Sequence, residues 1–340
     1  MIWIDAKKLG VAARPFKDAL NYRRLTEEDN EIMTKVNENG FFPKLGRNSA
    51  GMHVDFKTDS RELFVRWSVC FGDPVTNFNL IGYSGLDCYM FYEGAYRYLG
   101  SGIPTPKRKT GHEACIMPKH YKKIPKGMNL FSLNLCNYDE CKKIEIGIDD
   151  DAKIEGVPFK SDYIAVYGSS ITQGGCSSRP GMAYTHIMRR TLNEEVYNMG
   201  FSGAGLLEPE MTEILNKLDP KLMILDCVAN MCFLEDKFFI ERYNYFYDVF
   251  RKSHPKTPVL VIEQPYFTNS WAWLDEFELK NYVLRDVVSK WKDKNVFYLK
   301  GDDLYGHDFE ASTDGVHPTD LGFLRMSQEI VPYVKEILKK

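Results

Sequence analysis

At 340 residues the chain is longer than a typical single core, so two domains are expected. Hydrophobic residues at 44% and charged residues at 27% are the proportions of an ordinary globular protein. A net charge of −3 without a Lys/Arg stripe argues against a nucleic-acid partner, and no run approaches the ~20 apolar residues of a membrane-spanning helix.

The opening segment, Met1 to Lys8, has no basic stretch followed by an apolar one. That leaves both a cytoplasmic protein and an exported one with its leader removed. Thr26 to Val36 is the one helical pattern of the first half. After it, period-two alternation dominates. Leu63, Val65, Trp67 and Val69 alternate with Phe64, Arg66 and Ser68. Gly100 to Thr110, with its Gly and Pro residues, predicts a turn-rich connection. Phe131, Leu133 and Leu135 then alternate with Ser132, Asn134 and Cys136, and Ile144, Ile146 and Ile148 with Lys143, Glu145 and Gly147. These are half-buried antiparallel strands, and residues 1–155 are expected to form an all-β sandwich.

After Asp149-Asp150-Asp151 the pattern changes, and residues 156–340 form the second expected domain. Strands are predicted at Tyr163–Tyr167, Glu195–Asn198, Leu222–Val228, Pro258–Ile262 and Val296–Leu299. Helices are predicted near 183–192, 209–218, 238–253, 276–292 and 319–338. Five β–α units in series predict an α/β domain: a parallel sheet with helices on both faces. Ligands in such sheets bind beyond the C-terminal strand ends. The eight cysteines include no C-x-x-C pair, so zinc is poorly supported and reduced, buried thiols are expected. Disulfides stay open for an exported chain.

Four segments fall at those strand ends. Ser170, in Gly168-Ser169-Ser170-Ile171, follows the first strand, where a strand-to-helix turn exposes Oγ beside backbone N–H groups. A helix-capping serine is the plainer alternative. Asp314-Gly315-Val316-His317-Pro318 follows the last strand. Its Asp can hold imidazole Nδ1 and leave Nε2 free to take a proton from a serine. A surface His beside a capped helix is the alternative. Gly203, after the second strand, can offer an N–H, and Asn230, after the third, a side-chain amide, to a developing oxyanion. Either could equally be an ordinary turn residue.

Together these blocks resemble the SGNH (GDSL-type) hydrolase superfamily. Gly168-Ser169-Ser170-Ile171 stands for Gly-Asp-Ser-Leu, with Gly203, Asn230 and the Asp314/His317 pair as the later blocks. Ser169 replaces the usual Asp, and Val228-Ala229-Asn230-Met231 departs from Gly-x-Asn-Asp. Gly85-Leu86-Asp87-Cys88-Tyr89 is similar to the Gly-x-Asp-Leu-Tyr signature of the β-rich domain that precedes such esterases, with Cys88 replacing Leu. The resemblance implies a flavodoxin-like three-layer α/β hydrolase preceded by a jelly-roll-like sandwich. It also implies acyl transfer with Ser170 as nucleophile, His317 as base and Asp314 orienting it. Ser170, Gly203 and Asn230 would form the oxyanion hole, and neither metal nor organic cofactor is required.

Ser202 is expected to shape the Gly203 turn, His186 to be structural, and His307 and Asp308 to be loop residues. Arg179, Trp271 and Trp273 are candidates to line the substrate site. Paired Trp on a loop suits a sugar ring, and no apolar lid is evident. Such Trp residues can also simply pack under their loop, but a β-sandwich beside a small esterase domain resembles carbohydrate esterases with jelly-roll partners, so the expected substrate is an O-acetylated poly- or oligosaccharide. The alternatives are a lipid, thioester or other small-ester hydrolase, or a non-catalytic carbohydrate-binding protein on the same scaffold. Oligomeric state is left open.

Overall fold

The computed structural model describes residues 1–37, 40, 42–72, 75–272 and 275–339, with only the backbone described for 275–279. The described residues of the first half form nine strands. They are β1 (Ile2–Asp5), β2 (His53–Thr58), β3 (Leu63–Val69), β4 (Leu86–Tyr92), β5 (Ala95–Gly102), β6 (His112–Met117), β7 (Asn129–Asn134), β8 (Cys141–Ile148) and β9 (Ile154–Gly156). They form two antiparallel sheets, β1-β8-β3-β6 and β5-β4-β7-β2-β9, in a jelly-roll-like sandwich. One apolar cluster unites the facing sides: Val65, Trp67, Ile144 and Ile146 from one sheet, and Val54, Phe56, Leu86 and Phe131 from the other.

One expectation for this half needs correction and another needs extension. Gly100 and Gly102 belong to a strand, because β5 runs to Gly102. A Cβ on Gly100 would stand 2.6 Å from the Ile116 carbonyl oxygen, and one on Gly102 would stand 2.9 Å from the Trp67 ring. These glycines permit close approach within the sandwich rather than a turn. The predicted helix is present as Glu27–Val36, with the Thr26 hydroxyl accepting the Asp29 N–H at 3.1 Å. It is joined by short helices at Phe42–Leu45 and Leu80–Ser84.

The middle of the outer side of the second sheet is not solvated. Asp87, Ser132 and Asn134 occupy polar alternate positions yet are fully buried. Arg189 donates to the Ser132 hydroxyl at 3.0 Å and also pairs with Asp55. Asp87 accepts from the Gly181 N–H and from Arg179 at 2.6 Å. Those partners belong to the second half, so this polar face is an internal interface.

The second half is a three-layer α/β unit. Its parallel strands are β10 (Tyr163–Gly168), β11 (Glu195–Gly200), β12 (Leu222–Asp226), β13 (Val259–Ile262) and β14 (Val296–Leu299), in the order β11-β10-β12-β13-β14. Alternation along the strands sends Ala165, Tyr167, Met223 and Leu225 to one helical layer, and Ile164, Val166, Leu222 and Ile224 to the other. Leu25, Met33, Phe42 and Leu45 of the first half complete the former cluster. The third strand ends at Asp226, two residues before the predicted Val228, and Val228–Met231 is a helical turn. No helix among the described residues is long and apolar enough to cross a membrane.

Candidate active site

The end of β10 is built for a tight reversal. A Cβ on Gly168 would overlap the Thr172 hydroxyl and the Asp226 carbonyl, so only glycine lets the next turn fold back on the strand. The Ser169 hydroxyl accepts the Ile171 N–H at 3.2 Å, which starts the helical turn Ser170–Gln173. Ser170 is thereby held at the strand end, 6% exposed. Under this turn lies Asp226, fully enclosed, accepting from Thr172 Oγ1 and Tyr184 OH at 2.7 Å each. Burial pushes its carboxyl up to about 6, against the pull of those two hydroxyls.

The loop before the last helix supplies the other groups. Asp314 Oδ1 accepts the N–H groups of Val316 at 3.1 Å and His317 at 2.8 Å, a local turn that sets the loop's shape. Asp314 Oδ2 lies 2.7 Å from His317 Nδ1, and His317 Nε2 lies 2.8 Å from Ser170 Oγ. Burial works against the Asp314 charge, but bonds from the His317 amide and imidazole hold its carboxyl below the usual range. The helix begins at Asp320; Pro318 precedes it, bridged to Ser312.

Gly203 sits in the turn after β11 at φ +67°. Asn230 sits in the turn after β12 and donates Nδ2 to the Phe201 carbonyl at 3.3 Å. That bond ties the two expected oxyanion segments together and leaves the amide a second N–H. The β11 end is also held from the first half. Arg24 is buried, donates to the Asn198 carbonyl at 3.3 Å and to the Gly200 carbonyl, and stacks 4.5 Å from the Phe201 ring centroid. Burial disfavours its charge, and the carbonyl acceptors offset that cost.

A cavity of about 440 Å³ opens beside His317. Among the described residues, only Ser202 and His317 of its lining come from the second half. Leu45, Asn48, Asn77, Phe78, Tyr83 and Tyr138 come from the first. Tyr138 OH donates to the Ser170 carbonyl at 3.0 Å, and the Phe78 ring meets His317 edge-on, centroids 5.6 Å apart. Asn77 Nδ2 donates to Asp314 Oδ2 at 2.6 Å. The sequence reading missed these contributors because it treated the first half as a separate unit. The buried polar alternates of its strands were the available sign that a second unit covers it.

Of the remaining candidates, Arg179 and Trp271 lie elsewhere. Arg179 does not line this cavity; Asp87 and the Tyr89 hydroxyl hold it at the junction of the halves. Trp271, 70% exposed, borders a smaller cavity of about 150 Å³ with Phe309 and His307. Trp273 lies outside the described residues. Ser202 donates its N–H to Gln173 at 3.0 Å, His186 is buried within a helix, and His307 pairs with Asp303 at 2.8 Å.

All eight cysteines are free thiols. Cys176, Asp314 and His317 bring potential ligand atoms within 4.8 Å of one another. That set does not suit a metal. Burial, then the Asp314 charge, push the Cys176 thiol up to about 12, and both imidazole nitrogens are engaged by Ser170 and Asp314.

Residues 161–335 match a family model described as the GDSL-like lipase/acylhydrolase family, and residues 1–154 match one described as the N-terminus of SGNH-hydrolase-type esterases. The chain is 31% identical to a protein from Bacteroides ovatus described as a GDSL-like lipase, over 99% of this chain and 98% of that one, with a TM-score of 0.88. A salicylyl-acyltransferase from a tetracycline biosynthetic pathway shares the fold over 99% and 97% of the two chains at 17% identity and a TM-score of 0.76. A family two carbohydrate esterase from Clostridium thermocellum, solved with cellohexaose, does so over 85% and 93% at 15% identity and a TM-score of 0.62. Comparison with curated proteins finds no match.

Proposed function

This chain belongs to the GDSL-like lipase/acylhydrolase family of carboxylic ester hydrolases, and we propose that it removes O-acetyl groups from a carbohydrate through Ser170, His317 and Asp314. The observation that carries the proposal is the unbroken chain of contacts from Ser170 Oγ through His317 to Asp314, at 2.8 and 2.7 Å. Both fall in the range of effective hydrogen bonds.

Ser170 Oγ attacks the ester carbonyl carbon while His317 Nε2 takes its proton. The carbonyl oxygen becomes an oxyanion, received by the N–H groups of Ser170 and Gly203 and the Asn230 amide. The bond to the leaving alcohol oxygen breaks as His317 returns the proton to it. Water, deprotonated by the same imidazole, then releases the acyl group as the acid and restores Ser170. Asp314 fixes the imidazole tautomer and stabilises the imidazolium.

The sugar reading is supported by the cavity. At about 440 Å³ it is within the range of small-molecule sites and exceeds the needs of an acetyl group alone. Its aromatic rings, Phe78, Tyr83 and Tyr138, and its polar groups, Lys44, Asn48 and Asn77, suit the two kinds of surface of a sugar. The structurally similar esterase solved with cellohexaose points the same way. Trp271 is proposed as an outlying stacking surface.

Turnover of p-nitrophenyl acetate should fall to background in Ser170→Ala. Equal rates in variant and wild type would refute the nucleophile. Acetate release from acetylated glycans, against a chain-length series up to octanoate, tests the substrate class; undiminished octanoate turnover would favour a lipase instead.

A further inference from the structure

We propose that Asn77, from the β-rich half, is a positioning residue for the catalytic acid–base pair, so that the triad is assembled across the two halves of the chain. The inference rests on the reading of Ser170, His317 and Asp314 as the reacting set. Asp314 Oδ2 receives two donors: His317 Nδ1 at 2.7 Å and Asn77 Nδ2 at 2.6 Å. The amide must face the carboxylate through its nitrogen, since its oxygen there would oppose the carboxylate oxygen, which can only accept. The other carboxylate oxygen is taken by the backbone of Val316 and His317. Asp314 is therefore fixed at both oxygens, one of them by a residue 237 positions away in sequence.

The Asn77 segment is itself anchored to the second half. The Cys176 thiol donates to the Asn77 carbonyl at 3.3 Å. The next residue, Phe78, packs edge-on against His317 and, 4.6 Å between centroids, against Tyr138. Tyr138 in turn donates to the Ser170 carbonyl. One short segment of the sandwich half thus touches Asp314 and His317 directly and reaches Ser170 through Tyr138. The titratable groups facing this cluster include Cys176, whose thiol stays protonated, the buried Tyr305, whose hydroxyl donates to the Val316 carbonyl at 2.7 Å, the buried Tyr138 against Phe78, and Lys44, which lines the same cavity.

The electrostatic consequence has a definite sign. Donation from Asn77 draws charge from Oδ2 and so moderates the carboxylate's stabilisation of the imidazolium. Without it, more negative charge stays on Oδ2 and the carboxylate stabilises the imidazolium more strongly relative to the neutral ring. Orientation suffers as well, because Oδ2 is left with one tether.

The test compares wild type with Asn77→Ala, Asn77→Asp, Asn77→Gln and Ser170→Ala, using p-nitrophenyl acetate from about pH 5 to 9 and recording thermal unfolding of each. Asn77→Ala should lower kcat about tenfold with KM nearly unchanged. The acid limb of its kcat/KM profile should move to higher pH. Asn77→Asp, which sets a second negative charge beside Asp314, should move it further, and Asn77→Gln should recover most of kcat. Wild-type kcat and pH profiles in the Ala and Asp variants, with Ser170→Ala inactive, overturn the role of Asn77 and leave the nucleophile assignment standing. A kcat loss of equal size in Ala, Asp and Gln that follows a fall in Tm, with an unmoved pH profile, also overturns it. Activity in Ser170→Ala equal to wild type removes the triad reading, and this inference with it.

Discussion

At the scale of single residues, Asp226 joins stability to pH. Its carboxyl sits beneath the Ser170 turn with two hydroxyl donors on one oxygen, and its folded pKa is raised from 3.8 to about 6. The folded state therefore binds this proton more tightly than the unfolded state does. The penalty for burying the charge is absent below about pH 4, grows through the interval and is complete above about pH 6, where it reaches about 3 kcal/mol. Asp226→Asn never carries that charge. Its stability relative to wild type should rise by up to about 3 kcal/mol between pH 4 and 7 in urea denaturation at each pH. A difference that stays constant with pH would show that the carboxylate is better solvated than its burial implies.

At the scale of elements, the strand ends decide the site, and they were the most legible part of the sequence. Short apolar runs followed by Gly168, Gly203, Asn230 and the Asp314–His317 loop placed those residues at the C-terminal edge of one parallel sheet, where they are found. What local pattern could not supply was the boundary and the bracing. Val228 looked like a continuation of an apolar strand, but the strand ends at Asp226, whose carboxylate accepts from Thr172 and Tyr184. Gly100 and Gly102 looked like turn residues because the reason for them, the Ile116 carbonyl and the Trp67 ring, lies on neighbouring strands. Arg24 was invisible for the same reason, since its acceptors on Asn198 and Gly200 lie over 170 positions away. Arg24→Met should leave those carbonyls buried and unmatched. It should cost roughly 3 kcal/mol of stability and lower kcat by loosening the Gly203 turn. Chemical denaturation and steady-state kinetics measure the two effects separately; unchanged kcat at reduced stability would confine Arg24 to folding.

At the scale of the whole molecule, the junction between the halves is polar and buried. Asp87, inside the Gly-x-Asp-Leu-Tyr-like segment, accepts from Arg179, the Gly181 N–H and Asn134. That gives the segment a physical meaning which its sequence alone did not: its carboxylate fastens the sandwich to the loop that follows the Ser170 turn. Asp87→Ala leaves the Arg179 charge largely buried with no carboxylate beside it, a change that typically costs about 3–5 kcal/mol. Calorimetry should show one unfolding transition in the wild type and a lower, broadened or divided one in the variant. A single transition at the wild-type temperature would mean that the apolar contacts of Leu25, Met33, Phe42 and Leu45 with the α/β core join the halves unaided.

Among the described residues, the cavity beside His317 has walls drawn almost wholly from one half, while the proposed reacting groups come from the other. On the proposed mechanism, the two properties that natural selection tunes in an enzyme, which molecule it accepts and how fast it converts it, would be written in different stretches of the gene. Drift or recombination in the region encoding the cavity wall would then redirect the choice of ester while Ser170, Asp314 and His317 stand unaltered. If the hydrogen bond from Asn77 positions Asp314 as proposed, it sets the limit on that freedom: a transplanted sandwich would have to bring its own donor to the carboxylate, or import a new preference into a slower catalyst.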